Sequence, residues 1–216
     1  MKKIMIIDGG PRKNMNTAAM IEAFANGAKS VSEEIEAKTV RLYDIDYKGC
    51  RSCMACKLKG KPSNICVFKD DLKPVLEEIA YADGLVLASP IYMGETTGEL
   101  HSFMERWTFP WLSYKDYSNN CPKHMPVVAI YTMNASPEQM DFVEKGVGMS
   151  EWIIQNTMKD FTRICACNTY QVKNYDRYEF APNQAEVKQA WKDAHWEEDL
   201  QKAFDAGKQM AEKILA

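Results

Sequence analysis

Short apolar runs alternate with segments of helical periodicity along this 216-residue chain. The first run, residues 4–7, is apolar without interruption, which is typical of a strand buried on both faces of a sheet. Regular alternation of strands and helices predicts a doubly wound α/β fold, with a five-stranded parallel sheet and helices on both faces. The predicted strands are residues 4–7, 35–42, 84–89, 126–131 and 163–170, and the predicted helices are residues 17–29, 71–82, 98–107, 137–158 and 184–215, the last with a break near residue 195.

The length and composition predict a single domain over residues 1–216. Hydrophobic residues make up 46% of the chain and charged residues 26%, and no low-complexity linker divides it. Three segments depart from the alternating pattern: a cysteine-containing loop at 43–69, an aromatic insertion at 108–124 and the C-terminal helical tail at 184–215.

Charge and hydropathy exclude several classes of partner. The formal net charge is -3, and lysines and arginines are spread along the chain, so the sequence predicts no nucleic-acid binding. No apolar run reaches the length of a membrane span, so we expect no membrane partner. The apolar run at 4–7 is also too short for the core of a signal peptide, which predicts a cytoplasmic location.

The predicted fold indicates where a ligand would bind. In doubly wound sheets, ligands lie beyond the carboxyl ends of the strands, at the point where the strand order reverses. The loops that follow the first, third and fourth predicted strands are residues 9–17, 90–97 and 132–137. We therefore expect a ligand site among these three loops.

The first loop has the composition of a phosphate-binding turn. It lies between a strand and a helix, and the start of a helix offers free N–H groups to an anion. Gly9 and Gly10 let the backbone turn closely, and Arg12 adds positive charge. The loop matches neither the Walker A motif nor G-x-G-x-x-G. The alternative from the residues alone is a polar turn in which Asn16 or Thr17 caps the helix.

Four of the seven cysteines, Cys50, Cys53, Cys56 and Cys66, lie within 17 residues. Such clustering in a cytosolic protein indicates metal binding or redox chemistry before disulfide bonding. Three interpretations remain open: a [4Fe–4S] cluster, a structural Zn²⁺ site, and a reduced loop that lines a ligand pocket or a subunit contact. Nearby cations such as Lys57 would stabilise a cluster or lower thiol pKa values.

Four segments together resemble the flavodoxin-like NADPH-dependent FMN reductases and the related iron–sulfur flavoproteins. They are the loop GGPRKNMNT at 9–17, the cysteine segment at 49–71, the strand and loop ADGLVLASPIY at 82–92, and the helix ending in Glu105-Arg106. The likeness covers residues 1–135 and implies a flavodoxin-like fold. Two positions depart from the family pattern, because Gly10 stands where serine is frequent and Met15 where glycine is frequent.

The resemblance implies a noncovalently bound FMN with its phosphate in the first loop. The backbone after the third strand would then follow the edge of the isoalloxazine ring, and the segment after the fourth strand would form a third wall. The residues that carry these expectations are Gly10, Pro11, Arg12, Asn14, Asn16, Thr17, Pro90, Ile91, Tyr92, Met93, Gly94, Thr132 and Asn134.

The function that the resemblance implies is an FMN-dependent oxidoreductase. It would move electrons from NAD(P)H to a quinone, a nitroaromatic compound, a flavin or another small acceptor, with no catalytic side chain required. An alternative is an electron-transfer flavoprotein that uses FMN and a [4Fe–4S] cluster held by the four cysteines to serve a protein partner. A third is a binding module that has lost its cofactor. A homodimer or homotetramer is expected.

Overall fold

A computed structural model describes residues 1–158 and 160–216, and it shows the predicted five-stranded sheet. The strands are β1 (Lys2–Asp8), β2 (Ile35–Arg41), β3 (Gly84–Pro90), β4 (Val127–Thr132) and β5 (Phe161–Ala166), and the helices are α1 (Asn16–Lys29), α2 (Leu72–Ile79), α3 (Gly98–Thr108), α4 (Met140–Met158) and α5 (Gln184–Leu215). The strand order is β2-β1-β3-β4-β5 and every pairing is parallel, so the flavodoxin-like fold is confirmed.

The strand order reverses between β1 and β3, which are hydrogen-bonded neighbours at the centre of the sheet. Their register pairs Ile4 with Gly84 and Asp8 with Ala88. The loops that leave the carboxyl ends of these two strands therefore begin side by side. This is the position at which doubly wound sheets bind ligands.

Apolar side chains of the central strands pack in two separate cores, one on each face of the sheet. Met5 and Ile7 point into a core formed with α2 and α3, whereas Ile4 and Ile6 point into a core formed with α1 and α5. Successive side chains of a strand point to opposite faces. An uninterrupted apolar run is the pattern that a strand covered on both faces requires.

Helices α1 and α5 cross at two glycines that let their backbones approach closely. A Cβ atom built on Gly27 would lie 1.9 Å from the carbonyl oxygen of Phe204. One built on Gly207 would lie 2.0 Å from the carbonyl oxygen of Phe24. The long C-terminal helix is therefore fastened to the helix that begins at the first loop.

Two predicted boundaries at the C-terminal end of the chain are wrong. The fifth strand was expected over 163–170 but ends at Ala166, because Asn168 takes a left-handed conformation (φ 52°) that an extended strand does not allow. The helical tail has no break near residue 195. No proline interrupts α5, and His195 packs on Trp191 one turn earlier.

The start of α2 also differs from the expectation. The helix predicted over residues 71–82 begins one residue later, at Leu72, and ends at Ile79. The carboxylate of Asp70, just before it, accepts two hydrogen bonds from Arg106, at 2.7 and 3.0 Å. In the described part of the chain, no helix is long and apolar enough to cross a membrane.

Candidate functional site

The loops after β1, β3 and β4 meet around one cavity of about 130 Å³ at the carboxyl edge of the sheet. Ten of the thirteen residues expected at a flavin site line it: Gly10, Pro11, Arg12, Asn16, Thr17, Pro90, Ile91, Tyr92, Thr132 and Asn134. Asn14 lies on the other side of the first loop and lines a larger neighbouring cavity. Met93 and Gly94 line a third cavity, of about 480 Å³.

The N-terminal end of α1 faces this site without a side-chain cap. Asn16 uses its side-chain amide to donate to the carbonyl oxygen of Tyr170, at 2.7 Å. The hydroxyl of Thr17 forms a 2.7 Å hydrogen bond with that of Thr132, which ties the first loop to β4. From Arg12 to Thr17, no backbone amide donates to a group within the described residues. Neither Asn16 nor Thr17 caps the helix, so these amides remain available to an anion.

Asp8, at the end of β1, organises the base of the first loop. Its carboxylate accepts from the Gly10 amide at 2.7 Å and forms an ion pair with Arg41 at 2.8 Å. Burial raises the pKa of Asp8, while the Gly10 amide and Arg41 act in the opposite direction. A Cβ on residue 10 would lie 2.9 Å from an oxygen of this carboxylate. A side chain at position 10 would therefore crowd the Asp8 carboxylate, a contact that glycine avoids.

A tight turn follows β3 and lines the third cavity with Met93 and Gly94. Tyr92 and Glu95 exchange two backbone hydrogen bonds, and the two residues between them have positive φ angles, 53° for Met93 and 86° for Gly94. A positive φ at methionine is uncommon, and such strain concentrates at functional sites. The Met93 side chain is 93% exposed. Ile91, Met133 and Asn134 line both cavities, so the two form one continuous groove.

A fourth loop, which the sequence did not indicate, completes the small cavity. Thr169, Tyr170 and Gln171 line it from the segment after β5. They were missed because residues 163–170 were assigned to a strand. The available signal was Asn168, since asparagine tolerates the left-handed conformation better than most residues.

Lys188, on α5, forms hydrogen bonds to both the loop after β4 and the loop after β5. Its side chain is 1% exposed, and its ammonium group donates to the carbonyl oxygen of Asn134 at 3.3 Å and to the side-chain oxygen of Asn168. Burial lowers the pKa of Lys188 to about 8. The tail therefore fixes the wall of the groove that Asn134 provides.

The cysteine segment is held by the Glu-Arg pair at the end of α3. Glu105 accepts from the backbone amide of Cys50 at 2.9 Å. Arg106, which is 2% exposed, donates from Nε to Cys66 Sγ at 2.9 Å and pairs with Asp70. This part of the family pattern thus positions the cysteine loop on α3.

All four clustered cysteines line one cavity of about 20 Å³, and their thiols are free. That volume holds about one water molecule, which is too little for an iron–sulfur cube. Among the described residues, no three histidine, cysteine, aspartate or glutamate side chains converge to hold a metal ion. The arrangement in this structure therefore fits neither a [4Fe–4S] cluster nor a Zn²⁺ ion.

Lys57 makes hydrogen bonds to the backbone of the aromatic insertion. It donates to the carbonyl oxygens of Phe109 and Pro110, at 2.8 and 3.1 Å, and so ties the cysteine loop to the aromatic insertion. The pKa of Cys56 is raised, because burial outweighs the opposing effect of Lys57.

The aromatic insertion packs mainly against α3. Trp111 is buried, and its ring meets that of Trp107 edge to face, with centroids 4.7 Å apart. No described residue of 108–124 lines the small cavity or the third one. Within one chain, the insertion therefore does not cover the groove.

Comparison with known proteins identifies the family. The sequence model of the NADPH-dependent FMN reductases matches residues 2–141. An iron–sulfur flavoprotein of Archaeoglobus fulgidus is 36% identical over 104 residues, which are 48% of each chain. Another, of Methanocaldococcus jannaschii, is 33% identical over 105 residues, which are 48% of this chain and 51% of the relative. The chain thus matches these relatives over about half of their length.

Solved structures share the fold. An NAD(P)H:quinone oxidoreductase from Methanothermobacter marburgensis superposes with a TM-score of 0.68 at 16% identity, covering 96% of this chain and 98% of that one. An FMN-dependent NADH-azoreductase from Bacillus anthracis, solved in complex with FMN, gives 0.67 at 14% identity, covering 97% and 100%. The family match runs from β1 into α4 and includes the loops after β1, β3 and β4. The chain therefore belongs to the NADPH-dependent FMN reductase family.

Proposed function

We propose that this protein is an oxidoreductase that binds FMN and moves electrons from NAD(P)H to a small acceptor such as a quinone, a nitroaromatic compound or a flavin. One observation carries the proposal: the loops at the switch point of the sheet converge on the uncapped N-terminal end of α1. Free amides at a helix start favour an anion such as a phosphate monoester.

The residues of the first loop suit the phosphate of FMN. The amides from Arg12 to Thr17 would donate to it, and the Thr17–Thr132 hydrogen bond fixes the spacing between the loops after β1 and β4. Arg41 neutralises Asp8, the acidic group nearest to the loop. The donor set fits a phosphate without a metal ion.

The groove beyond the phosphate site suits a flat ring. Its walls are the turn at Met93 and Gly94 and the segment after β4, and it continues into the cavity of about 480 Å³. When bound, FMN supplies the hydride and electron chemistry, and the protein supplies binding, orientation and polarity. The residues of these two walls would orient the ring and leave one face open to a substrate that stacks on it.

The proposal is tested on purified protein by its visible spectrum, by titration with FMN, and by anaerobic oxidation of NADPH and NADH in the presence of a quinone. We expect flavin bands, saturable binding and turnover. Thr17→Val should weaken FMN binding about fivefold, since one hydrogen bond contributes about 1 kcal/mol. Thr162→Val, at an exposed position near the opposite end of β5, is the matched control. Protein that neither contains nor binds FMN would overturn the proposal.

A second candidate function is electron transfer to a protein partner through FMN and a [4Fe–4S] cluster. It is favoured by the four cysteines that line one cavity and by the name of the relatives, iron–sulfur flavoproteins. Because the cavity is too small for a cluster, this function requires the cysteine loop to open. Iron analysis after anaerobic purification decides between the two functions: about four irons per chain support the second, and none supports the first.

We also propose that the chain forms a homodimer or homotetramer. Helix α4 exposes an apolar row that includes Trp152, which is 59% exposed, together with Phe142, Met149 and Ile153. Phe142 also lines the third cavity, so a second copy on this row would border the groove. Light scattering after size exclusion measures the mass, and a monomer at micromolar concentration would contradict the proposal.

A further inference from the structure

A large cavity lies beside the first loop and shares Met15, Asn16, Thr169 and Tyr170 with the small cavity of the groove. It has a volume of about 660 Å³ and is bounded by α1, the segment after β5, and α5. Pockets for small molecules span about 300–1,000 Å³. Most of its lining comes from residues beyond position 141, where the family match ends. The family match therefore covers only the α1 side of the cavity, where Asn14 and Asn16 belong to the expected phosphate loop.

Two tryptophans of α5 line this cavity. Trp196 packs against the apolar core, and His195 packs on Trp191 with ring centroids 4.1 Å apart, so both indoles are held in place. The indole N–H of Trp191 is buried and has no acceptor among the described residues. A buried donor without a partner is costly, so a ligand acceptor that the indole meets after a small movement would satisfy this N–H group.

Asp199 adds a buried acid to the same cavity. Asp199 lies one turn beyond Trp196 on α5 and is 7% exposed. Its contact with a cation is a long one, 3.5 Å to the ammonium group of Lys202. Buried carboxylates are normally paired or fully hydrogen-bonded. A ligand N–H group would donate a hydrogen bond to this carboxylate.

The mouth of the cavity is mostly basic. Lys13, Lys173 and Lys192 line it with exposed side chains, and Glu22 is an exposed acid among them. Lys13 also forms an ion pair with Asp44 at 3.1 Å, so Lys173 and Lys192 are the main cations for a ligand. Lys192 also lies 5.7 Å above the ring of Tyr170. A ligand with a flat ring inside and an anionic group outside would satisfy both ends of the cavity.

We propose that this cavity binds a purine nucleotide. The ring would stack on the tryptophans, its amino edge would donate to Asp199, and a ring acceptor would receive the Trp191 N–H. The phosphate would lie among the lysines of the mouth. The same chemistry is found in a free purine mononucleotide and in the adenylate half of a nicotinamide dinucleotide.

Isothermal titration of the purified protein with AMP, GMP and ribose 5-phosphate tests the proposal. We expect AMP or GMP to bind with a Kd below about 1 mM and to quench tryptophan fluorescence, and ribose 5-phosphate to bind at least tenfold more weakly. Asp199→Asn and Trp191→Phe should each weaken nucleotide binding about tenfold. Asp205→Asn, at an exposed position on the same helix, is the matched control.

Failure of both purines to bind at 10 mM would overturn the proposal, as would equal binding of ribose 5-phosphate or unchanged affinity in both variants. Competition separates the two sources of the ligand: AMP that displaces NADPH supports the dinucleotide, and AMP that binds together with NADPH supports a free nucleotide. FMN binding is measured separately with Thr17→Val, so either proposal can fail without the other.

Discussion

At the scale of single residues, the base of the candidate phosphate site depends on the pair formed by Asp8 and Gly10. The buried carboxylate accepts the Gly10 amide and is balanced by Arg41. A serine at position 10, which the family pattern favours, would crowd this carboxylate. The backbone amides of the loop therefore stay available to an anion. The Asp8 carboxylate, in place of a serine hydroxyl at position 10, fixes the shape of the turn.

We expect Gly10→Ser to weaken FMN binding about tenfold, the equivalent of ~1.4 kcal/mol, because the carboxylate has to shift to accommodate the new side chain. Titration of the flavin-free protein with FMN measures this change. Gly98→Ser is the control, since a Cβ at that position meets no atom within 4 Å. A tighter complex in Gly10→Ser would show that the carboxylate does not set the loop.

The lowered pKa of Lys188 should make the unfolding free energy of the protein depend on pH. Burial lowers its pKa to about 8 in the folded protein, against ~10.4 in an unfolded chain. Between these values the unfolded chain binds the proton that the folded protein has lost, so the contribution of Lys188 to stability rises with pH across this window.

Urea unfolding of wild type and Lys188→Met at several pH values between about 7 and 10.5 tests this. The difference in unfolding free energy should move in favour of wild type as the pH rises. Lys208→Met, at an exposed position of α5, should show a difference that stays nearly constant. A flat difference for Lys188→Met as well would place the pKa of Lys188 near its ordinary value.

At the scale of elements, the crossing of α1 and α5 connects the C-terminal tail to the helix at the candidate phosphate site. We expect Gly207→Ala to reduce stability by about 2–3 kcal/mol, although alanine favours a helix, because the added methyl meets the Phe24 carbonyl. Gly148→Ala in α4 faces open space and should be neutral or slightly stabilising. Chemical denaturation compares the two, and equal effects would argue against a close crossing.

The second connection at this scale is between α3 and the cysteine loop. Arg106→Met removes the partner of Asp70 and the donor to Cys66, so we expect a loss of about 3 kcal/mol. Cys56, which is buried, should then react faster with a thiol reagent. Arg177→Met, in an exposed turn, is the control. Unchanged thiol reactivity would mean that Arg106 does not hold the loop.

The sequence predicted those elements whose signal is local. The apolar run at 4–7 and the helical period of 72–79 depend on residues that are neighbours in the chain, and both elements were found. The end of β5 depends on the conformation of Asn168 and on pairing with β4. The two strands end together, at Ala166 in β5 and Thr132 in β4. Lys188 reaches Asn134 across 54 residues, a contact that periodicity does not reveal.

At the scale of the whole molecule, the sheet brings three separate loops to one edge and α5 supports them from the C-terminal end of the chain. The positions of these loops followed from the alternation of strands and helices together with the known behaviour of doubly wound sheets. The fourth loop and the large cavity beside it did not, because they depend on how the tail packs against α1.

The central claim is that the first loop binds the phosphate of FMN, and comparing FMN with riboflavin tests it most directly. Flavin-free protein is titrated with each ligand and fluorescence quenching is measured. If the loop binds the phosphate, FMN binds at least 100-fold more tightly than riboflavin, a difference of ~2.7 kcal/mol or more, and added salt narrows this difference. Equal affinities for the two flavins would contradict the account.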